Sequence, residues 1–184
     1  QEATDQVVSL VNASRNEIIF TSGATESNNI AILGLKEFGL NNNKKHIITS
    51  AIEHKAVLEP IQELEKIGFD VGVINVDQSG RVNPKDIKEK LREDTLLISI
   101  MAVNNETGVI QPINEIIEII KTKAYLVGGL KINWQNNTEP DPELQSQSFY
   151  YPNGINDFVN EELDKKTLLI PNTFSGSSTT KSKD

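Results

Sequence analysis

Three short runs, His46–Thr49, Phe69–Val76 and Leu96–Met101, recur along the first two thirds of the sequence, separated by stretches with apolar residues at helical spacing. Strands of nearly continuous apolar character are buried on both faces, and a helix-length connection between strands joins them in parallel. This pattern restricts the region to an α/β fold on a parallel sheet, with a binding edge at the carboxyl ends of the strands. The spacing predicts helices over about 54–67 and from Pro84 to Leu91, where proline sits well in a first turn, and another from near Pro112. Gly80, in the turn Asp77–Arg81, stands where a left-handed conformation is easiest. Upstream, Ala3, Val7, Leu10 and Val11 share one helical face, and Ile18–Phe20 reads as a buried strand broken by Gly23. A helix from Thr25 to about Leu40 then offers Ile30, Leu33 and Phe38 for packing on the sheet.

After Lys121 the rhythm changes. Tyr125–Trp134 reads as a strand or hairpin around Gly128-Gly129, and the polar stretch 136–147 carries Pro140 and Pro142. Phe149–Tyr151 suits a short strand, Asn156–Leu163 a short helix, and 175–184 a flexible tail. The expected organisation is therefore a parallel-sheet domain over 1–121, a divergent α+β or partly disordered segment over 122–174, and the tail.

Composition narrows the function. The 184 residues carry 26 acidic and 18 basic side chains, a formal charge of −8, which argues against electrostatic capture of nucleic acid or an anionic bilayer. No apolar run approaches the length of about 18 residues that suggests a membrane-spanning helix. With no cysteine there is neither a disulfide nor a thiolate nucleophile, and the 2 histidines alone build no closed zinc site, so no metal is expected. The first residues, QEATDQVVSLV, lack the basic and apolar regions of an export signal, which makes the cytoplasm the expected location.

Three polar loops fall at predicted strand ends. In Phe20-Thr21-Ser22-Gly23-Ala24-Thr25-Glu26-Ser27, Gly23 permits close backbone approach, and the amides opening the next helix suit a phosphate. His54, after the second strand, offers an imidazole that could stack on a planar cofactor or transfer a proton. Asn104-Asn105-Glu106 follows the strand Leu96–Met101 with two amides and a carboxylate. Taken singly, these are equally an ordinary capped helix, a surface histidine and a polar turn. Together they define one testable pocket.

The strings FTSGATESNN at 20–29, IEHKAVL at 52–58, DTLLISIM at 94–101 and VNNETGVIQPI at 103–113 resemble, in order and spacing, the cofactor domain of the cysteine desulfurases. These are class V aminotransferase-like, fold-type I enzymes that use pyridoxal phosphate. The resemblance covers residues 17–113 and implies a partial parallel-sheet cofactor domain. It implies that Ala24 and Thr25 bind the cofactor phosphate, that His54 stacks on the pyridine ring and assists proton transfer as the catalytic residue, and that Asn105 lies near the cofactor's phenolic oxygen. Asn104 and Glu106 are supporting candidates. Intact relatives take sulfur from L-cysteine and pass it to acceptors for iron–sulfur assembly, and a homodimer partner or a full-length desulfurase is the implied protein partner.

The departures matter as much. The family's early segment, its Asp-Ala-Ala-Gln string and its Ser-x-His-Lys string are not found, and family spacing leads instead to Leu130 and Asn156. Lys55, beside His54, is not the expected replacement for the lysine that bonds the cofactor. Without that lysine and the mobile cysteine, the expectation is a truncated or chimeric desulfurase-like chain that does not turn over cysteine by itself. Residues 123–170, with KAYLVGGLKI and FYYPNGINDFV, show a weaker resemblance to the end of the ATPase domain of the DNA gyrase B protein. A noncatalytic interaction or regulatory fragment and an ATPase-related structural module are the alternative expectations.

Overall fold

The computed structural model describes residues 2–11, 14–126, 131–135 and 146–164. Its helices are α1 (Glu2–Val11), α2 (Ala24–Leu33), α3 (Lys36–Asn41), α4 (Lys55–Lys66), α5 (Pro84–Lys90), α6 (Ile113–Leu126) and α7 (Ile155–Asp164). Strands β1 (His46–Ser50), β2 (Asp70–Ile74) and β3 (Thr95–Ser99) form a parallel sheet in the order β2-β1-β3. A second, antiparallel pair joins β4 (Lys131–Gln135) to β5 (Ser146–Tyr150), with Lys131 opposite Tyr150.

β1 is the centre of the architecture, and all five of its residues are buried. Successive side chains of a strand leave on opposite faces. Ile47 enters one core with Ile32, Ile61, Leu64 and Phe69, while Ile48 enters another with Ile74, Val82, Ile87, Ile116 and Ile120. Helices α2 and α4 thus cover one face, and α5 and α6 the other. A bulge at Leu96 shifts the β1–β3 register between His46 and Ile47, and both Leu96 and Leu97 pack against the first core. The chain leaves β1 into α4 on one face and reaches α6 after β3 on the other. Such divergence opens a crevice between the carboxyl ends of the two adjacent strands.

The polar turn before α5 is built from its own side chains. Asp77 Oδ1 accepts hydrogen bonds from Ser79 N (2.8 Å), Ser79 Oγ (2.6 Å) and Arg81 N (3.1 Å), and Gly80 adopts a φ of +81°, as its place in the turn predicts. Buried Gln111 fastens this turn to the segment after β3: its amide donates to Gly80 O (2.8 Å) and its oxygen accepts from Val82 N (2.9 Å).

Several expectations need correction. Ile18–Phe20 is not a strand: it pairs with no strand among the described residues, and Ile19 and Phe20 are 66% and 64% exposed. Apolar character alone does not make a strand, since a ladder needs a partner. The helix expected over 25–40 divides at Gly34-Leu35 into α2 and α3, where glycine weakens the helix and Leu35 N reaches Ile32 O instead (3.2 Å). Ile30, Leu33 and Phe38 are exposed, and Ile32 supplies the buried contact, because α2 packs against α4. Leu10, on the apolar face of α1, is exposed as well. Tyr125 and Leu126 end α6 rather than begin a strand, so one helix crosses the position where the rhythm of the sequence changes. The expected Gly128-Gly129 turn, the polar stretch 136–145 and the tail 175–184 lie outside the described residues. Among the described residues no helix is long and apolar enough to cross a membrane.

At the amino end of β1, His46 is 3% exposed. Thr95 Oγ1 accepts from Arg92 N (2.9 Å), leaving its own proton to donate to His46 Nδ1 (2.8 Å). That arrangement suits a neutral ring with its proton on Nε2. Burial first, then the Arg92 charge, hold the His46 pKa below the imidazole value of 6.5, partly offset by Asp94 and Asp70. The unfolded chain therefore takes up this proton more readily, and the stabilisation from neutral His46 is complete above 6.5 and lost as pH falls through the depressed folded value.

Urea unfolding from pH 8 to pH 5 (approximate limits set by imidazole chemistry) should show wild type losing stability relative to His46→Gln as the medium becomes acidic. A constant difference would contradict the assignment. At the other end of the strand, the Thr49 hydroxyl is buried with no hydrogen-bond partner among the described residues. Thr49→Val should raise the unfolding free energy by about 1 kcal/mol by removing an unsatisfied hydroxyl. By contrast, Ile48→Ala should lower it by about 3 kcal/mol through lost burial and a cavity. Both are measured from the urea midpoint.

Candidate functional site

A cavity of about 410 Å³ opens at the carboxyl ends of β1 and β3, within the range that holds small cofactors. Ala24 and Thr25 of α2, His54 at the start of α4, and Asn105 after β3 all line it, together with Asn28, Glu53 and Met101. The structure thus brings the four residues singled out in the sequence around one space. No lysine is among its lining residues.

The segment entering α2 is a loop closed by hydroxyls. Thr21 Oγ1 and Ser27 Oγ lie 2.7 Å apart, one donating to the other, and Gly23 O lies 3.3 and 3.2 Å from them to accept the remaining proton. The Glu26 carboxylate turns back to accept from Ser22 N (2.6 Å) and Ser22 Oγ (2.7 Å), bonds that lower its pKa. These bonds occupy Thr21, Ser22, Glu26 and Ser27. The Thr25 hydroxyl makes no hydrogen bond to the described residues, and the space where a Cβ on Gly23 would stand is open to 4 Å. An anion could approach the first-turn amides there, with the helix dipole favouring negative charge.

His54 caps α4. Its Nδ1 accepts from Ala56 N at 3.1 Å, so the protonated nitrogen of the neutral ring is Nε2. This bond fixes the ring relative to the helix. The exposed imidazole can then present its face or its Nε2–H to a planar ligand.

Asn104 and Asn105 divide the work that the sequence left undivided. Asn104 is 9% exposed, and its Oδ1 accepts from Glu106 N (3.0 Å), Thr107 N (2.8 Å) and Thr107 Oγ1 (3.0 Å). Its Nδ2 donates across the crevice to Ile52 O at 3.2 Å. Gly108, with a φ of +73°, completes the turn, and its amide donates to Asn104 O (2.9 Å). Asn104 builds the loop and leaves Asn105 at the cavity. The Glu106 side chain is exposed and does not line it.

Glu53 was not singled out in the sequence. It is 8% exposed, and Oε1 accepts from both Ser50 Oγ (2.7 Å) and Met101 N (2.6 Å). Burial raises its pKa, while the Ser50 and Met101 bonds pull it back. The one available signal was the Ser50-x-x-Glu53 spacing, which resembles a local serine–carboxylate pair.

Asn104→Ala should cost about 2 kcal/mol in urea unfolding by stripping partners from buried backbone amides, and should speed hydrogen exchange at the Thr107 amide. Protection unchanged at Thr107 would show that another group organises the loop.

The family described as Aminotransferase class-V matches residues 1–128. Cysteine desulfurase IscS of Dictyoglomus turgidum is 44% identical over 163 residues, covering 84% of this chain and 41% of that relative. The chain therefore spans about two fifths of the length of that curated relative. Among solved structures, DndA from Streptomyces lividans shares 53% identity at a TM-score of 0.59, with 65% of this chain and 34% of that one covered. SspA, solved in complex with cysteine, shares 44% identity at a TM-score of 0.56, over 64% of this chain and 34% of that one. Parallel sheet, crevice and sequence agree: this chain belongs to the aminotransferase class V family, among relatives that are cysteine desulfurases.

Proposed function

We propose that residues 24–105 form the half of a cysteine desulfurase site that grips pyridoxal phosphate. The observation that supports this reading is the meeting of Ala24, Thr25, His54 and Asn105 around one cavity. In this reading the first turn of α2 and the Thr25 hydroxyl hold the phosphate. His54 covers the ring and holds or accepts a proton through its imidazole, and Asn105 donates its amide to the ring oxygen. When bound, the cofactor supplies an electron sink for chemistry at the carbon bearing the amine of L-cysteine. The chain's own residues bind and orient it; the thiol that accepts sulfur in intact relatives has no counterpart here, since the sequence contains no cysteine.

The proposal therefore assigns reversible cofactor binding to this chain. Sulfur transfer from L-cysteine needs a cofactor-bonding lysine and a cysteine in addition to the lining residues present here. A cytoplasmic location is part of the same proposal, testable by fractionation. Exposed Ile19 and Phe20 favour the interaction role of this chain as the second reading, because large apolar side chains in solvent favour contact with a partner.

Titration of the purified chain with pyridoxal phosphate, followed by visible absorbance, should show saturable binding. Borohydride treatment and intact mass should then find no stoichiometric adduct on a single lysine. His54→Ala should weaken binding about fivefold, the scale of a lost ring contact, and Thr25→Val about tenfold, that of a hydrogen bond to a charged group. Absence of binding would remove the cofactor reading and leave the interaction reading in front. An adduct on one specific lysine would overturn the assignment of reversible binding.

A further inference from the structure

We propose that Glu53 is a positioning residue of this site, its Oε1 stapling the end of β1 to the segment leaving β3 and so fixing the separation at which His54 and Asn105 line the cavity. The proposal rests on the cofactor reading above for its consequence, and on the geometry of the protein for its cause.

The β1–β3 ladder ends at Thr49 opposite Ser99. Beyond that pair no backbone ladder holds the strand ends together, yet both loops that line the cavity begin there. Ser50 Oγ donates to Glu53 Oε1 at 2.7 Å and Met101 N donates to the same oxygen at 2.6 Å, so one atom spans the gap where the ladder stops. Three residues beyond Met101, Asn104 returns the connection by donating to Ile52 O at 3.2 Å. Residues 52–53 and 101–104 are thereby closed into a ring by two bonds, both donated from the 101–104 side, one from backbone to side chain and one from side chain to backbone.

His54 follows Glu53 directly, and its ring is tied to the local backbone through the Ala56 N bond. A shift at residue 53 therefore carries the imidazole with it. Asn105 follows Asn104 in the same way on the facing side.

The choice of a carboxylate here is costly. Glu53 is buried and takes part in none of the ion pairs among the described residues, and burying a carboxylate without a cation is unfavourable. A doubly accepting charged oxygen offers shorter, stronger bonds than a neutral one. That strength falls at the place where the separation of two cavity-lining loops is set.

The test compares wild type, Glu53→Gln and Glu53→Ala by amide hydrogen exchange at Met101, by the NMR signals of the His54 ring, and by titration with pyridoxal phosphate. Cooperative urea unfolding serves as the control for folding. Glu53→Ala should release Met101 to fast exchange, move the His54 signals and weaken cofactor binding at least about tenfold, in line with the loss of a hydrogen bond to a charged group. Glu53→Gln keeps a carbonyl oxygen able to accept both bonds and should restore all three readouts to within a few fold of wild type. If Glu53→Ala does not fold, Glu53→Asp, which withdraws the oxygen by one methylene, should reproduce the loss. Unchanged Met101 exchange in the alanine or aspartate variant overturns the staple. Weakened binding with unmoved His54 signals, or no rescue by glutamine, overturns its positioning role. If wild type does not bind pyridoxal phosphate, the cofactor reading fails, while Met101 exchange and the His54 signals still decide whether Glu53 holds the two loops.

Discussion

Everything in the parallel domain depends on β1 being paired on both sides and covered on both faces. Its five residues have no exposed surface to spare, and Ile47 and Ile48 anchor separate cores on either side of the sheet. Because β2 follows β1 on one side while β3 lies on the other, the chain must diverge as it leaves the two adjacent carboxyl ends. The crevice is thus a product of strand order. Side chains at those ends only decide what it can hold.

Electrostatically, the cavity is unusual for a site expected to take a phosphate, because neither lysine nor arginine lines it. In the proposed reading, charge compensation would fall instead to oriented amides at the start of α2 and to hydroxyl and amide side chains, which are directional and held by the fold. The acidic groups nearby are already committed: Glu26 to Ser22, Glu53 to Ser50 and Met101. Such commitment keeps negative charge engaged with the protein's own donors.

The sheet was legible in the sequence because its strands spell themselves out as apolar runs, although only β1 is buried along its whole length, while β2 exposes Asp70 and Val73 and β3 is half-buried. So were the loops carrying Ala24, Thr25, His54 and Asn105, since each follows or opens a recognisable element. What stayed hidden depended on partners remote in sequence. Ile18–Phe20 has strand composition and finds no ladder, and the face chosen for α2 failed because the helix packs on α4, a contact no local period reveals. Glu53 looked like a neighbour of His54, whereas its role comes from Met101, far along the chain. Asn104 and Asn105 are chemically identical, and the bonds of Asn104 to Glu106, Thr107 and Ile52 separate loop builder from cavity wall.

The sheet order has a further consequence for behaviour in solution. Among the described residues β3 is hydrogen-bonded along one edge only, to β1, and Ile19 and Phe20 are exposed elsewhere on the same chain. An unpaired edge of alternating donors and acceptors is a template for another strand, and parallel order places no restriction on where that strand comes from. The free side of β3 is therefore where a further strand, from this chain or from another, would extend the sheet through backbone groups alone.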